Sequence, residues 1–274
     1  MFLTHVVNRF GQQIQGLLIG RVYNASTMGY YSKAHGLEKL ASTSISKVMT
    51  DVTYPLYAES QDNKARMIGM IKRLSSTLSY LTFPLMFLMI LLAKPIFVLL
   101  YSERWLASIP YFQVLCIAGL PNCLQAVNLQ TISAIGKSRT MFLWTLLKRC
   151  IGISMIVGGL MIFGMKGLLA GVVFNSWFSY FVNIGLVSKH IGYKWITQLK
   201  DLLPMTITSL FAAGASYGVS ALLNLSLFPD GIVRLVVFLA IYLGWSFVFK
   251  PECYTYTLSI IPAKLRFWER FSKK

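Results

Sequence analysis

Residues 34–59 repeat apolar residues at the period of an α-helix, which gives the segment one apolar stripe and one polar face. The stripe contains Leu37, Leu40, Ile45, Val48, Val52 and Leu56. The polar face contains Ser42, Thr43, Ser46, Lys47, Thr50 and Asp51. Ionisable groups at membrane depth are costly, and they normally face a wet cavity or each other. We therefore predict a two-faced helix that forms the wall of a polar route through a membrane; a helix lying in the headgroup region is the alternative.

Apolar segments elsewhere in the chain predict seven further membrane-spanning helices, because about twenty residues cross a ~30 Å hydrocarbon layer. Their ranges are 2–22, 74–92, 111–135, 141–163, 166–188, 202–223 and 232–249. A turn that contains Gly29 is expected over residues 24–31. Pro84 is expected to kink the third span because it lacks a backbone donor.

Two kinds of residue in these spans predict contacts between helices. Asn122, Gln125 and Asn128 recur at every third position of the fourth span. Since lipid offers them no partner, we interpret these amides as interhelical hydrogen-bonding groups in preference to a ligand site. Gly167 and Gly171 have the spacing that lets two helices approach closely.

Composition separates the chain from soluble proteins. Of its 274 residues, 55% are hydrophobic and 13% are charged, whereas a soluble domain has about 25% charged residues. The net charge is +17, but the basic residues cluster between apolar runs, which argues against a nucleic-acid partner. Alternate connectors and the C-terminal tail hold seventeen Lys and Arg residues, against five in the opposite connectors. The positive-inside rule then predicts that both ends of the chain are cytoplasmic.

Neither a metal nor a cofactor is expected. The four cysteines and three histidines show no paired ligand spacing. His35, at the start of the two-faced helix, is the histidine placed to titrate in a cavity. The first span is unusually polar, since it contains Asn8, Arg9, Gln12, Gln13 and Gln15. Polar side chains of this kind need hydrogen-bonding partners inside a lipid bilayer. This polarity indicates that the chain is the later part of something longer.

Several short runs follow one another in a recognisable order and spacing. They are Gly-Tyr-Tyr at 29–31, Tyr-Pro-Leu at 54–56, Phe-Pro-Leu-Met at 83–86, Glu-Arg-Trp at 103–105 and Gly-Lys-Ser at 136–138. Together they resemble the polysaccharide transporter family, the Wzx-type flippases for O-antigen and exopolysaccharide repeat units. This family lies within the multidrug/oligosaccharidyl-lipid/polysaccharide exporter superfamily. The similarity extends over most of the chain, from about residue 16 to residue 222.

The resemblance implies an all-α integral membrane protein with about eight transmembrane helices. These would correspond to the second lobe and the two trailing helices of a flippase of about fourteen helices. Residues 1–188 would form the six-helix second lobe, 189–250 the trailing pair, and 251–274 a basic cytoplasmic tail. The first lobe would be absent, so a truncated or split reading frame is expected, with a separate N-terminal half among the partners.

The implied function is transport of undecaprenyl-diphosphate-linked oligosaccharide across the bacterial cytoplasmic membrane, with no enzymatic activity. Membrane lipids and other polysaccharide-assembly proteins would be further partners. A diphosphate needs cations in a low-dielectric cavity, where arginine offers a planar fork and lysine a point charge. The candidate cavity residues are Arg9, Gln12, Gln13, Ser46, Lys47, Thr50 and Asp51. Asp51 would either neutralise Lys47, four residues away, or relay a proton.

Three other functions remain open at this stage. A multidrug or cation antiporter of the same superfamily would need a carboxylate that exchanges protons or sodium. A membrane enzyme of polysaccharide assembly would need a catalytic loop, but the outward connectors are short and offer mainly Glu103, Arg104 and Asp230. The third alternative is a remnant that does not transport.

Overall fold

The computed structural model describes residues 19–20, 22–59, 63–251 and 253–254, with side chains throughout except at 45–59 and 138. All the elements in these ranges are helical, which confirms the all-α fold class. In chain order they are α1 (Ala25–Glu59), α2 (Lys64–Leu91), α3 (Ala93–Tyr101), a 3₁₀ helix η1 (Glu103–Ser108), α4 (Ile109–Ala134), α5 (Ser138–Ile191), α6 (Trp195–Leu223) and α7 (Leu227–Phe249). Among the described residues, five helical segments are long and apolar enough to cross a membrane: α2, the continuous segment of η1 and α4, α5, α6, and α7.

Helix α1 begins earlier than the sequence pattern predicted. The side chain of Asn24 accepts a hydrogen bond of 2.9 Å from the Thr27 amide, and this N-cap starts the helix at Ala25. The turn expected over residues 24–31 is therefore wrong. Gly29 lies inside the helix, where a Cβ atom would be 3.7 Å from the Trp105 ring. The glycine serves close packing against η1 instead of a change of chain direction.

Helix α5 is a hairpin of two antiparallel helices, α5a (138–163) and α5b (165–191), joined at Gly164. Gly164 has φ 62° and ψ −142°, a conformation that favours glycine because it has no Cβ atom. The backbones of the two arms touch where Gly159 and Gly167 face each other. A Cβ atom on Gly171 would lie 3.0 Å from the carbonyl oxygen of Met155. The prediction that Gly167 and Gly171 allow close helix approach is thus confirmed.

Helix α2 continues through Pro84 and receives a hydrogen bond from α7 at that point. Proline has no N–H group, so the carbonyl oxygen of Tyr80, four residues earlier, lacks its helical donor. The hydroxyl of Tyr242 donates to this oxygen over 2.8 Å. Tyr80 in turn donates from its own hydroxyl to Ser246 Oγ over 3.0 Å. Helix α7 therefore packs on α2 at the place where proline interrupts the backbone pairing.

Arg234 connects α6 and α7 to the rest of the bundle near the opposite end of α7. Its guanidinium lies 2.8 Å from the Asp230 carboxylate, donates to Ser220 Oγ over 2.8 Å and to the carbonyl oxygen of Leu91 over 3.4 Å. Nearby, a Cβ atom on Gly231 would lie 3.1 Å from the Pro95 ring. Helices α6 and α7 are thus attached to the junction of α2 and α3. The proposed boundary at residue 189 stays a prediction.

A second polar cluster lies between the end of the hairpin and the start of α6. The Tyr193 hydroxyl donates to the Asp201 carboxylate, and Lys72 lies 3.6 Å from the same carboxylate. Burial, together with Asp201, raises the pKa of Tyr193, so its hydroxyl remains a donor. The cluster fixes α6 against α2 at this end of the bundle.

Candidate functional site

A polar cavity of about 280 Å³ lies between α1, α4 and both arms of the α5 hairpin. Helix α1 contributes His35, Glu38, Lys39 and Ser42 to its lining. These residues recur at the helical period, so they share one face of α1. His35 also stacks on Tyr31, with the ring centroids 5.8 Å apart. This helix thus forms a polar wall of the cavity, to which His35 belongs. That the wall is part of a route through the membrane stays a prediction.

The opposite walls come from α4 and the hairpin. Helix α4 contributes the amides of Asn122 and Gln125, α5a contributes the guanidinium of Arg149, and α5b contributes Asn175. A Cβ atom on Gly152 would overlap the Asn175 side chain, so this glycine makes room for the amide between the two arms. The cavity is therefore bordered by hydrogen-bonding groups on every side, with Lys39 and Arg149 as its basic residues.

A chain of hydrogen bonds leads from the cavity into the hairpin. Gln125 donates to Asn122 Oδ1 over 3.0 Å and to the carbonyl oxygen of Ser176 over 3.3 Å. Asn183 donates to Gln125 Oε1 over 3.4 Å and accepts a 2.6 Å bond from the ammonium group of Lys148. Lys148 is only 7% exposed. For Gln125, the interpretation as an interhelical hydrogen-bonding group is confirmed, and the same side chain also lines the cavity.

Glu38 is the buried acidic group of this site. It is 5% exposed, and its Oε1 atom has no hydrogen-bond partner among the described residues. The carboxyl group lies against Gly119 of α4, where a Cβ atom would come within 2.5 Å of Oε1. The absence of a side chain at Gly119 therefore makes the space that the carboxyl group occupies.

The residues predicted for the site fall largely outside the described part of the molecule. Arg9, Gln12 and Gln13 precede the described residues. The backbone of α1 continues as a helix through Ser46, Lys47, Thr50 and Asp51, but their side chains lie outside the described set. Their role in the cavity stays a prediction.

Four charged residues of the site were missed by the sequence reasoning: Glu38, Lys39, Lys148 and Arg149. Lys148 and Arg149 were counted as connector residues that report membrane orientation, but both lie within α5a. Without these two, the richer set of connectors holds fifteen Lys and Arg residues instead of seventeen. A signal for Glu38 was present, because positions 35, 38 and 42 share one helical face with the polar residues that were recognised.

Comparison with known proteins finds sequence similarity to polysaccharide biosynthesis proteins. A family model described as "Polysaccharide biosynthesis protein" matches residues 1–110. The teichuronic acid biosynthesis protein TuaB of Bacillus subtilis is 26% identical over 141 residues, which cover 52% of this chain and 29% of that protein. The lipopolysaccharide biosynthesis protein WzxC of Escherichia coli is 24% identical over 183 residues, which cover 65% of this chain and 37% of that protein. The chain thus spans well under half the length of these relatives.

The fold is similar to that of a solved flippase. The inward closed conformation of the lipid II flippase MurJ superposes with a TM-score of 0.71 and 17% sequence identity, covering 90% of this chain and 52% of that one. Apolar helices long enough to cross a membrane, arranged around a polar cavity, define a multi-pass membrane protein with a fold similar to that of MurJ. Over part of its length, the chain is similar in sequence to polysaccharide biosynthesis proteins.

Proposed function

We propose that this chain forms part of a transporter that moves undecaprenyl-diphosphate-linked oligosaccharide repeat units across the bacterial cytoplasmic membrane, for O-antigen or exopolysaccharide synthesis. The observation that carries this proposal is the polar cavity with Lys39 and Arg149 on facing walls. The names of TuaB and WzxC support a polysaccharide cargo. Because the chain spans only part of these relatives, transport requires further protein segments, supplied by the same or a separate chain.

The chemistry of the cavity suits an anionic headgroup. Coulomb attraction is much stronger in a low-dielectric site than in water, so two cations retain a diphosphate there. Arginine pairs with phosphate oxygens through two parallel N–H groups. The amides of Asn122 and Asn175 offer donors and acceptors for sugar hydroxyls. A volume of about 280 Å³ lies at the small end of the range for ligand pockets, so we assign the cavity to the diphosphate and its first sugar.

The residues predicted from the sequence extend this proposal. Arg9 and Lys47 are further candidate cations, and Ser46 and Thr50, on the same helix as Lys47, are further hydrogen-bonding groups. We propose that both ends of the chain lie on the cytoplasmic side, because Lys and Arg are concentrated in the connectors on that side of the predicted topology.

The proposal is tested by replacing the basic residues of the cavity in the native gene. Arg149→Gln and Lys39→Gln each remove a cation and keep a polar, hydrogen-bonding side chain. We expect each to reduce surface polysaccharide at least about tenfold, since a charge-assisted bond to the cargo contributes about 1.5–3 kcal/mol. Arg139→Gln and Lys33→Gln are the matched controls, because these exposed residues lie on the same two helices outside the cavity lining. Normal polymer in both cavity variants, at normal protein levels, would falsify the proposal.

A cation antiporter is the second candidate, and Glu38 is the observation that favours it. A buried carboxyl group on the cavity wall is what exchange of a cationic drug against protons or sodium would need. In that case Glu38→Gln would increase sensitivity to cationic drugs, while surface polysaccharide would remain normal in Arg149→Gln. The two basic residues of the lining favour the anionic cargo.

A further inference from the structure

The carboxyl group of Glu38 occupies a space with little hydrogen-bonding capacity. The position that a Cβ atom of Gly119 would take is 2.5 Å from Glu38 Oε1 and 3.5 Å from the sulfur of Met86. Oε1 itself accepts no hydrogen bond from the described residues. Ser42, one turn further along α1, interacts with the carboxyl group, and its hydroxyl also lies 3.4 Å from the carbonyl oxygen of Lys39. At most one side of the carboxyl group is therefore paired.

The charged and titratable groups around Glu38 come from three directions. Helix α1 itself contributes Tyr31, His35 and Lys39, and α4 contributes Cys116. Arg149 of the hairpin lines the same cavity from across. Among the described residues, Glu38 is the acidic member of the cavity lining.

An ionised carboxylate is poorly accommodated in this position. A buried charge needs a close counter-ion or several donors, and the Oε1 atom has no hydrogen-bond partner among the described residues. A neutral carboxylic acid requires only one acceptor and leaves no net charge beside Gly119 and Met86. The geometry thus favours a carboxyl group that holds a proton.

We propose that Glu38 is a proton-binding site of the cavity, and that its protonation permits an anionic headgroup to bind beside it. The step is the transfer of one proton from a hydronium ion in the cavity water to a carboxylate oxygen: one O–H bond of hydronium breaks, one O–H bond of the carboxylic acid forms, and water is left. The second half of the proposal rests on the proposed function. A diphosphate next to an ionised Glu38 would meet like-charge repulsion in a low-dielectric site, so binding of the headgroup takes up a proton. By reciprocity, removing the proton weakens headgroup binding by the same factor.

The proton site is tested without any cargo, by infrared difference spectroscopy of the purified chain in lipid nanodiscs. We expect a protonated-carboxyl band at neutral pH that shifts in heavy water and disappears in Glu38→Gln. Glu103→Gln is the matched control, because Glu103 is exposed on η1 and its loss should leave the band in place. If the protonated-carboxyl region at neutral pH is the same in the wild type and in Glu38→Gln, and only carboxylate bands are lost, Glu38 is ionised and the proposal is overturned.

The link to the headgroup is tested by binding of farnesyl diphosphate to the same nanodiscs at mildly acidic and mildly alkaline pH. We expect wild-type affinity to fall at least about fivefold at the alkaline pH, the lower end of ordinary coupling between sites. Glu38→Gln imitates the protonated acid, so it should bind at both pH values with the affinity that the wild type has in acid. The same pH dependence in the variant would overturn the link. Absence of binding to either protein would contradict the proposed function, and the infrared band would still decide the proton site.

Discussion

Replacing Tyr242 by Phe removes the hydroxyl that pairs with the Tyr80 carbonyl oxygen at the position where Pro84 interrupts α2. Both tyrosines are buried, at 4% and 6% exposure, so water cannot readily replace the lost donor. A buried group left without its partner costs about 1–3 kcal/mol. Interhelical hydrogen bonds in membranes average about 0.6 kcal/mol and reach about 1.7 kcal/mol. Since Pro84 leaves this oxygen without a backbone donor, we expect a value near the upper end, about 1–2 kcal/mol.

A double-mutant cycle with Pro84→Ala tests this explanation directly. Alanine restores an N–H group at position 84, and this group can donate to the Tyr80 oxygen from within the helix. In the Pro84→Ala background, Tyr242→Phe should therefore lower the free energy of unfolding by only about 0.5 kcal/mol or less. The difference between the losses in the two backgrounds is the coupling energy between Tyr242 and Pro84. The free energy of unfolding is measured by detergent denaturation in bicelles for all four proteins. Tyr217→Phe, a matched change at a residue that is 59% exposed, serves as the control. If Tyr242→Phe lowers the free energy of unfolding equally in the wild-type and Pro84→Ala backgrounds, this explanation is refuted.

Two further predictions concern the hairpin. Asn183→Leu leaves the buried ammonium group of Lys148 without its 2.6 Å partner, so we expect the free energy of unfolding to fall by about 2–3 kcal/mol. The double variant Asn183→Leu/Lys148→Met removes the unpaired charge and should largely recover this loss; a double variant as unstable as the single one would contradict the prediction. Gly167→Leu places a side chain against the backbone of Gly159 and should lower the free energy of unfolding by about 3 kcal/mol or more, which is measured as loss of protein from the membrane. The control Gly185→Leu, at a position with open space around it, should accumulate normally.

The helices themselves were largely predictable because their causes are local. A run of apolar residues long enough to cross a bilayer is visible in the sequence, and so is the pair of small residues that brought α5a and α5b together. The start of α1 was mispredicted because Gly29 reads as a turn residue in isolation. Its packing against Trp105, which is distant in sequence, requires a small residue within a helix.

The charged residues of the cavity were less predictable, for a physical reason. Lys148 and Arg149 follow a short apolar stretch, and sequence alone does not separate a basic connector from the interior of a helix that is longer than a membrane span. What distinguishes them is their partners: Asn183 for Lys148, and for Arg149 the cavity shared with α1 and α4. Glu38 is similar, since its burial depends on the missing side chain of Gly119. Contacts of this kind between distant residues leave no periodic trace in the chain.

The touching backbones of Gly159 and Gly167 have a mechanical consequence for the hairpin. With no side chains between them, the two arms of the hairpin are in direct backbone contact, so we expect them to move together as one rigid unit. Arg149 on one arm and Asn175 on the other then keep a constant spacing. A change in the width of the cavity would then require α1 and α4 to move relative to the hairpin.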